Sequence, residues 1–297
     1  MRASRVLGIG TFLTALTLVS GCTSQGSTSA SWANTTPKVV AAFYPLQYAA
    51  QQVGGTHVSV ANLTQPGVEP HDLELSASQV AEISQADLVL YIKGFQPAVD
   101  DAVAQQAPDR SIDVTSSLRL LDGPDGTDPH VWLDPANMSK IASAIAERLA
   151  VIDPAKAAAF TKNLHTFTTS MTALSKEFNA DLATCTTKSL VVSHDAFGYL
   201  AKAFGFAQVG ISGLNPEAEP SPARMRDVAE AMRTHNVSTI YYETLVDPKV
   251  AQTIADETGA AAVMLDPLEG LMPNSTGDYV SVMKVNLAAL KKGQKCS

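Results

Sequence analysis

The chain has no basic excess: 21 Lys and Arg face 29 Asp and Glu, for a formal net charge of −8. A nucleic-acid partner needs a basic face against phosphate, so that class is excluded. Cysteine is scarce, with 3 in 297 residues and no CxxC pair, which removes the closely spaced zinc-finger and redox patterns. No HExxH run occurs, so the helix-borne metalloprotease pattern is missing as well. No apolar run reaches the roughly 18 residues of a membrane-spanning helix. At 45% hydrophobic and 17% charged residues, the composition also lacks the signature of wholesale disorder.

What is present begins with a leader. Arg2 and Arg5 precede an apolar stretch, Val6 to Leu18, and the run Val19-Ser20-Gly21-Cys22 follows. Two arginines, a short apolar core and small residues read as a secretory signal over 1–21. The ending resembles a bacterial lipobox, which makes Cys22 the expected lipidated first residue of an extracytoplasmic protein anchored to the cell membrane. Residues 22–37 are rich in Ser and Thr with almost no charge, the composition of a flexible tether. Cys185 and Cys296 then remain as an even pair, read as a disulfide in an oxidising compartment.

From residue 38 short β-rich runs alternate with helical stretches. KVVAAFY, VSVANL, DLVLYI and SIDV read as strands of one half. SLVVS, AQVGI, STIYYE and AAVML read as strands of the other. Strands alternating with helices imply parallel sheets covered on both faces. The expected fold is α/β, with two lobes that each carry a four-stranded, mainly parallel sheet: an N-terminal lobe over 38–152 and a C-terminal lobe over 184–297. Between them, from Asp153-Pro154, the apolar residues Leu164, Phe167, Met171, Leu174 and Phe178 recur every three or four positions. That spacing predicts a single long, rigid connecting helix within 153–183.

Four loops carry metal-competent residues beside a strand end or a proline: EPHDLE with His71, DPHVWLDP with His130, SHDAFG with His194, and LDPLEG with Asp266. Three imidazoles and one carboxylate form an N₃O set suited to Zn²⁺. Their dispersal along the chain fits a site assembled between two lobes. Glu269, three residues beyond Asp266, and Glu243 in YYET remain alternative carboxylates. Metal-bound histidines donate their second N–H to an acceptor, and Asp72, Asp128, Asp195 and Glu243 are the acids placed to accept. Trp132 is a candidate for a dry wall beside His130, with ordinary core packing as the alternative. His57, His165 and His235 read as polar surface or helix-end residues.

The lipobox, EPHDLELS, DPHVWLDP, VVSHDAFGYLAKAFG, GLNPEAEPSP, YYETLVDPK and LDPL occur in this order. Together they resemble the metal-binding cluster A-I substrate-binding proteins of bacterial ABC transporters. The resemblance implies two lobes joined by one long helix, little hinge closure, and metal held at His71, His130, His194 and Asp266. Manganese receptors of this kind resemble one another in placing a carboxylate where His194 stands, so the histidine implies Zn²⁺, with Mn²⁺ as the runner-up. The segment LLDGPDGTD lacks the histidine-rich loop of many zinc members. The implied protein is a monomeric, non-enzymatic receptor that delivers Zn²⁺ to a permease powered by an ATPase. The competing classes are an extracellular zinc hydrolase using Glu69, Glu243 or Glu269 as general base, and an adhesin with a structural metal.

Overall fold

The computed structural model describes residues 36–123 and 125–297. The signal segment, Cys22 and most of the tether lie outside them. Residues 36–297 form one compact unit.

The first half runs β1 (Lys38–Ala41), α1 (Tyr44–Gly54), β2 (Ser59–Asn62), α2 (Ala77–Gln85), β3 (Leu88–Tyr91), α3 (Pro97–Gln106) and β4 (Ser111–Asp113). A hairpin of β5 (Leu121–Gly123) and β6 (Gly126–Asp128) follows, then α4 (Pro135–Ile152). After α5 (Ala157–Leu182) come β7 (Ser189–Val192), α6 (Gly198–Phe204), β8 (Ala207–Gly210), α7 (Pro222–Thr234), β9 (Thr239–Tyr242), α8 (Lys249–Thr258), β10 (Ala261–Met264) and α9 (Tyr279–Gly293). The helix starts follow local chemistry. Ser76 and Gln79 close a capping box on α2, Asp134 accepts the Ala136 N–H ahead of Pro135, and Ser221 accepts the Arg224 N–H ahead of Pro222. Each satisfies a backbone donor that the first helical turn leaves open.

The two sheets share one topology. The first has order β2-β1-β3-β4 and the second β8-β7-β9-β10, and every pairing in both is parallel. In each, the order reverses between the first and third strands of its half, and such a reversal leaves a crevice beyond the carboxyl ends. In the first sheet Phe43 and Phe95, from the segments that follow β1 and β3, pack against each other with ring centroids 4.8 Å apart. In the second, His194 stands two residues after β7 and Glu243 directly after β9.

The connecting helix α5 has 26 residues, about 39 Å at 1.5 Å per residue. Phe160, Phe167, Met171, Leu174, Phe178 and Leu182 form its buried stripe. It begins later than the Asp153-Pro154 signal suggests. The Asp153 N–H closes α4 on the Leu149 carbonyl at 2.8 Å, and Pro154–Lys156 make a separate 3₁₀ turn, so α4 and α5 pack as a hairpin. Sequence periodicity revealed neither the β5–β6 hairpin nor α9. The main core runs without interruption from Val39 on β1 to Leu290 on α9, so the two lobes bury their apolar surface against each other as well as internally. Cys185 and Cys296 are disulfide-bonded, tying the segment after α5 to the end of the chain.

Candidate metal centre

Each histidine is fixed from behind. The Asp128 Oδ1, at the end of β6, accepts both the His130 backbone N–H at 2.9 Å and its Nδ1 at 2.8 Å. Proline at 129 keeps this turn extended, and Tyr199 Oη donates to the Asp128 carbonyl at 2.9 Å. His194 Nδ1 meets Glu243 Oε1 at 2.8 Å, and Ser193 Oγ donates to the same oxygen. A carboxylate against Nδ1 holds a proton there and turns Nε2 inward, so that the neutral ring would offer its Nε2 lone pair to a metal. The His71 N–H donates to both Glu69 oxygens at 3.0 Å, and its ring stands edge-on to Phe95 with centroids 4.6 Å apart.

The three Nε2 atoms converge on Glu269. Its Oε1 lies 3.2 Å from His130 Nε2, 3.2 Å from His194 Nε2 and 3.4 Å from His71 Nε2. His130 Nε2 is 3.4 Å from His71 Nε2 and 3.3 Å from His194 Nε2, and all four ligand atoms fall within 4.8 Å of one another. Five of the six edges of this set measure 3.2–3.4 Å, close to the roughly 3.3 Å edge of a tetrahedron whose centre lies about 2.0 Å from each corner, the zinc–nitrogen and zinc–oxygen length. Glu269 Oε2 is buried without a hydrogen-bond partner, an arrangement a cation relieves.

The charges respond accordingly. Burial lowers the His71 pKa. For His194 burial pulls the same way, but Glu243 and Glu269 outweigh it and hold the pKa at about 10. His130 is likewise raised against its burial, by Asp128 and Glu269. Burial pushes Glu269 upward, yet the three imidazoles hold it well below the usual carboxylate range. Burial raises Glu69 to about 7.

Asp266, expected from the sequence as the fourth ligand, lies outside the four convergent groups. Its Oδ1 accepts the Leu268 N–H at 2.7 Å, and burial beside Glu269 and Glu243 raises its pKa to about 6. The turn that follows carries the next carboxylate, Glu269, into the cluster instead. In the sequence Glu269 stands only as an alternative carboxylate, three residues beyond Asp266. Two other acids also lie elsewhere. Asp72 is exposed and its N–H bonds Glu69 at 3.4 Å, while Asp195 accepts from Gln208 Nε2 at 2.8 Å. Trp132 is fully buried, with its ring 5.2 Å from that of His130. Its Nε1 donates to the Pro267 carbonyl at 2.7 Å, so it both packs the core and joins two of the site's loops. Only His71 of the four has side-chain exposure above a trace, 10%. It lines a cavity of about 420 Å³ bounded by Phe95, Thr127, Leu214 and Asn215.

The family described as zinc-uptake complex component A, periplasmic (ZnuA), matches residues 39–293. The chain belongs to this ZnuA family. The zinc-binding lipoprotein AdcA of Streptococcus pneumoniae is 34% identical over 276 residues, covering 86% of this chain and 55% of that protein. The chain thus spans about half the length of the streptococcal relatives it matches. The high-affinity zinc uptake system protein ZnuA of Bacillus subtilis is 32% identical over 274 residues, covering 85% of this chain and 86% of that one. The Zn(II)-bound ZnuA-like domain of S. pneumoniae AdcA superposes with a TM-score of 0.77 at 34% identity, over 88% of this chain and 99% of the other. The ZnuA family is zinc-binding, the relatives named above are a zinc-binding lipoprotein and a zinc uptake system protein, and this chain's buried His/Glu cluster is able to hold a metal ion. Among the described residues no helix is long and apolar enough to cross a membrane.

Proposed function

We propose that this chain is an extracytoplasmic substrate-binding lipoprotein, anchored through Cys22, that captures Zn²⁺ and delivers it to an ABC permease driven by an ATPase. His71, His130, His194 and Glu269 are the ligands. The convergence of three Nε2 atoms and one carboxylate oxygen, five of their six separations being 3.2–3.4 Å and all within 4.8 Å, carries this reading. Three imidazoles and one oxygen in a cage of that size favour Zn²⁺ over Mn²⁺, which prefers more oxygen ligands. Four protein ligands leave no position for a reactive water, as suits cargo and not catalysis. Asp128 and Glu243 orient His130 and His194, and removing such partners weakens metal sites.

The test is metal analysis with competition titration on residues 23–297. Wild type binds Zn²⁺ more tightly than Mn²⁺, and His194→Ala and Glu269→Ala each weaken Zn²⁺ binding. Unchanged zinc affinity in both variants overturns the site, and tighter Mn²⁺ binding overturns the choice of metal.

A further inference from the structure

The turn that delivers Glu269 has an unusual sequence for its shape. Pro267 stands at its second position and Leu268 at its third, where φ is +58°. A positive φ of this kind favours Gly or Asn, because an L side chain is strained there. Leu268 occupies it because its side chain is completely buried in the core. Such a conformation persists only where its surroundings hold it.

Four hydrogen bonds do so. Asp266 Oδ1 accepts the Leu268 N–H at 2.7 Å, the two-residue bridge by which an aspartate templates a turn. Asn286 on α9 grips the Asp266 backbone from both sides, donating to its carbonyl at 2.7 Å and accepting its N–H at 2.9 Å. From the other lobe, Trp132 Nε1 donates to the Pro267 carbonyl at 2.7 Å. Trp132 lies two residues beyond His130, and Tyr279 Oη fixes its own carbonyl at 2.6 Å.

We infer that Asp266 is a positioning residue: it holds the strained Asp266–Glu269 turn closed, aims Glu269 into the three histidines, and itself binds no metal. The turn is a latch whose outer clasp, Trp132, belongs to the lobe that supplies His130. A change at the His130 loop therefore reaches Glu269 through the Trp132–Pro267 bond without passing through the metal. This rests on the zinc-binding reading above.

The experiment is a double-mutant cycle on zinc affinity with Asp266→Ala, Asp266→Asn and Glu269→Ala, alongside the visible spectrum of bound Co²⁺ and hydrogen exchange of residues 265–271. Asp266→Ala is expected to weaken zinc binding about 10–100-fold, to convert the Co²⁺ spectrum to that of Glu269→Ala, and to speed exchange in the turn. Asp266→Asn, which keeps an acceptor oxygen for the Leu268 N–H, stays within about threefold of wild type. Adding Asp266→Ala to Glu269→Ala weakens binding no further, because the aimed carboxylate is already gone. A full additional loss in that background, or an Asp266→Asn as weak as Asp266→Ala, overturns the positioning role and makes Asp266 an independent contributor. Should Asp266→Ala fail to fold, Asp266→Asn with and without Glu269→Ala decides the point. If Glu269→Ala and His194→Ala both keep wild-type affinity, the zinc site itself is refuted, a result distinct from additivity.

Discussion

His194 and Glu243 face each other at 2.8 Å across the seam between β7 and β9, where the strand order of the second sheet reverses. The parallel pairing of Val192 with Tyr241 fixes that separation, so the acceptor behind His194 is set by the sheet and not by a flexible loop. Glu243→Ala is expected to weaken zinc binding about 10–100-fold while leaving all four ligands in place. Glu243→Gln, which retains an acceptor for Nδ1, loses less. Competition titration against a zinc chelator reads both, and equal affinity for Glu243→Ala and wild type refutes the orienting role.

A second remote effect runs through Gly198. A Cβ at this position would meet Asp128 Oδ2 at 2.6 Å, closer than any ordinary contact, and Asp128 is what holds His130. Gly198→Ala is therefore expected to displace the carboxylate and lower zinc affinity by about tenfold or more, although Gly198 touches no ligand. Preserved affinity in a folded Gly198→Ala protein refutes this link.

Zinc binding is expected to release protons. Ligating imidazoles must be neutral, yet in the metal-free protein Glu243 and Glu269 hold the His194 pKa at about 10 against its burial. A raised value means that protonated His194 stabilises the empty fold fully below the ordinary histidine pKa of about 6.5. That contribution fades as pH rises through about 10. Zinc affinity accordingly rises with pH through the neutral range, and binding at pH 7 releases at least about one proton. Calorimetry in buffers of differing ionisation heat measures it, and zero release is the opposing result.

Metal removal is expected to lower stability without unfolding the chain, because the core from Val39 to Leu290 is continuous without the site. Free zinc at about 100 times Kd adds about 2.7 kcal/mol, or roughly 5–10 °C in Tm for a protein of this size. Loss of native near-ultraviolet dichroism on chelation points instead to a structural metal.

The disulfide acts elsewhere. Cys185 and Cys296 close a span of 111 residues, for which bridge removal costs about 2–5 kcal/mol. Cys185→Ser with Cys296→Ser is expected to lower the denaturation midpoint while zinc affinity stays unchanged. A parallel loss of affinity shows coupling between the bridge and the site.

Much of this was legible in the residue order. Alternating apolar runs and helix starts such as Ser76 and Pro97 are local signals, governed by backbone donors and side chains within a turn or two. They place all eight strands of the two sheets. Loops stiffened by a proline or a preceding strand, beside an aspartate, likewise mark His71, His130 and His194, and the motif order points to the family. What the sequence left open was which of three nearby carboxylates completes the set. Asp266, Glu243 and Glu269 are equivalent in charge and all follow strands of one sheet. Packing alone separates them: Glu243 is engaged by Ser193 and His194, Asp266 by the Leu268 N–H, and a left-handed Leu268 turns Glu269 inward. That backbone state runs against local preference, so it exists only because a buried leucine, Asn286 on α9 and Trp132 from the opposite lobe hold it there.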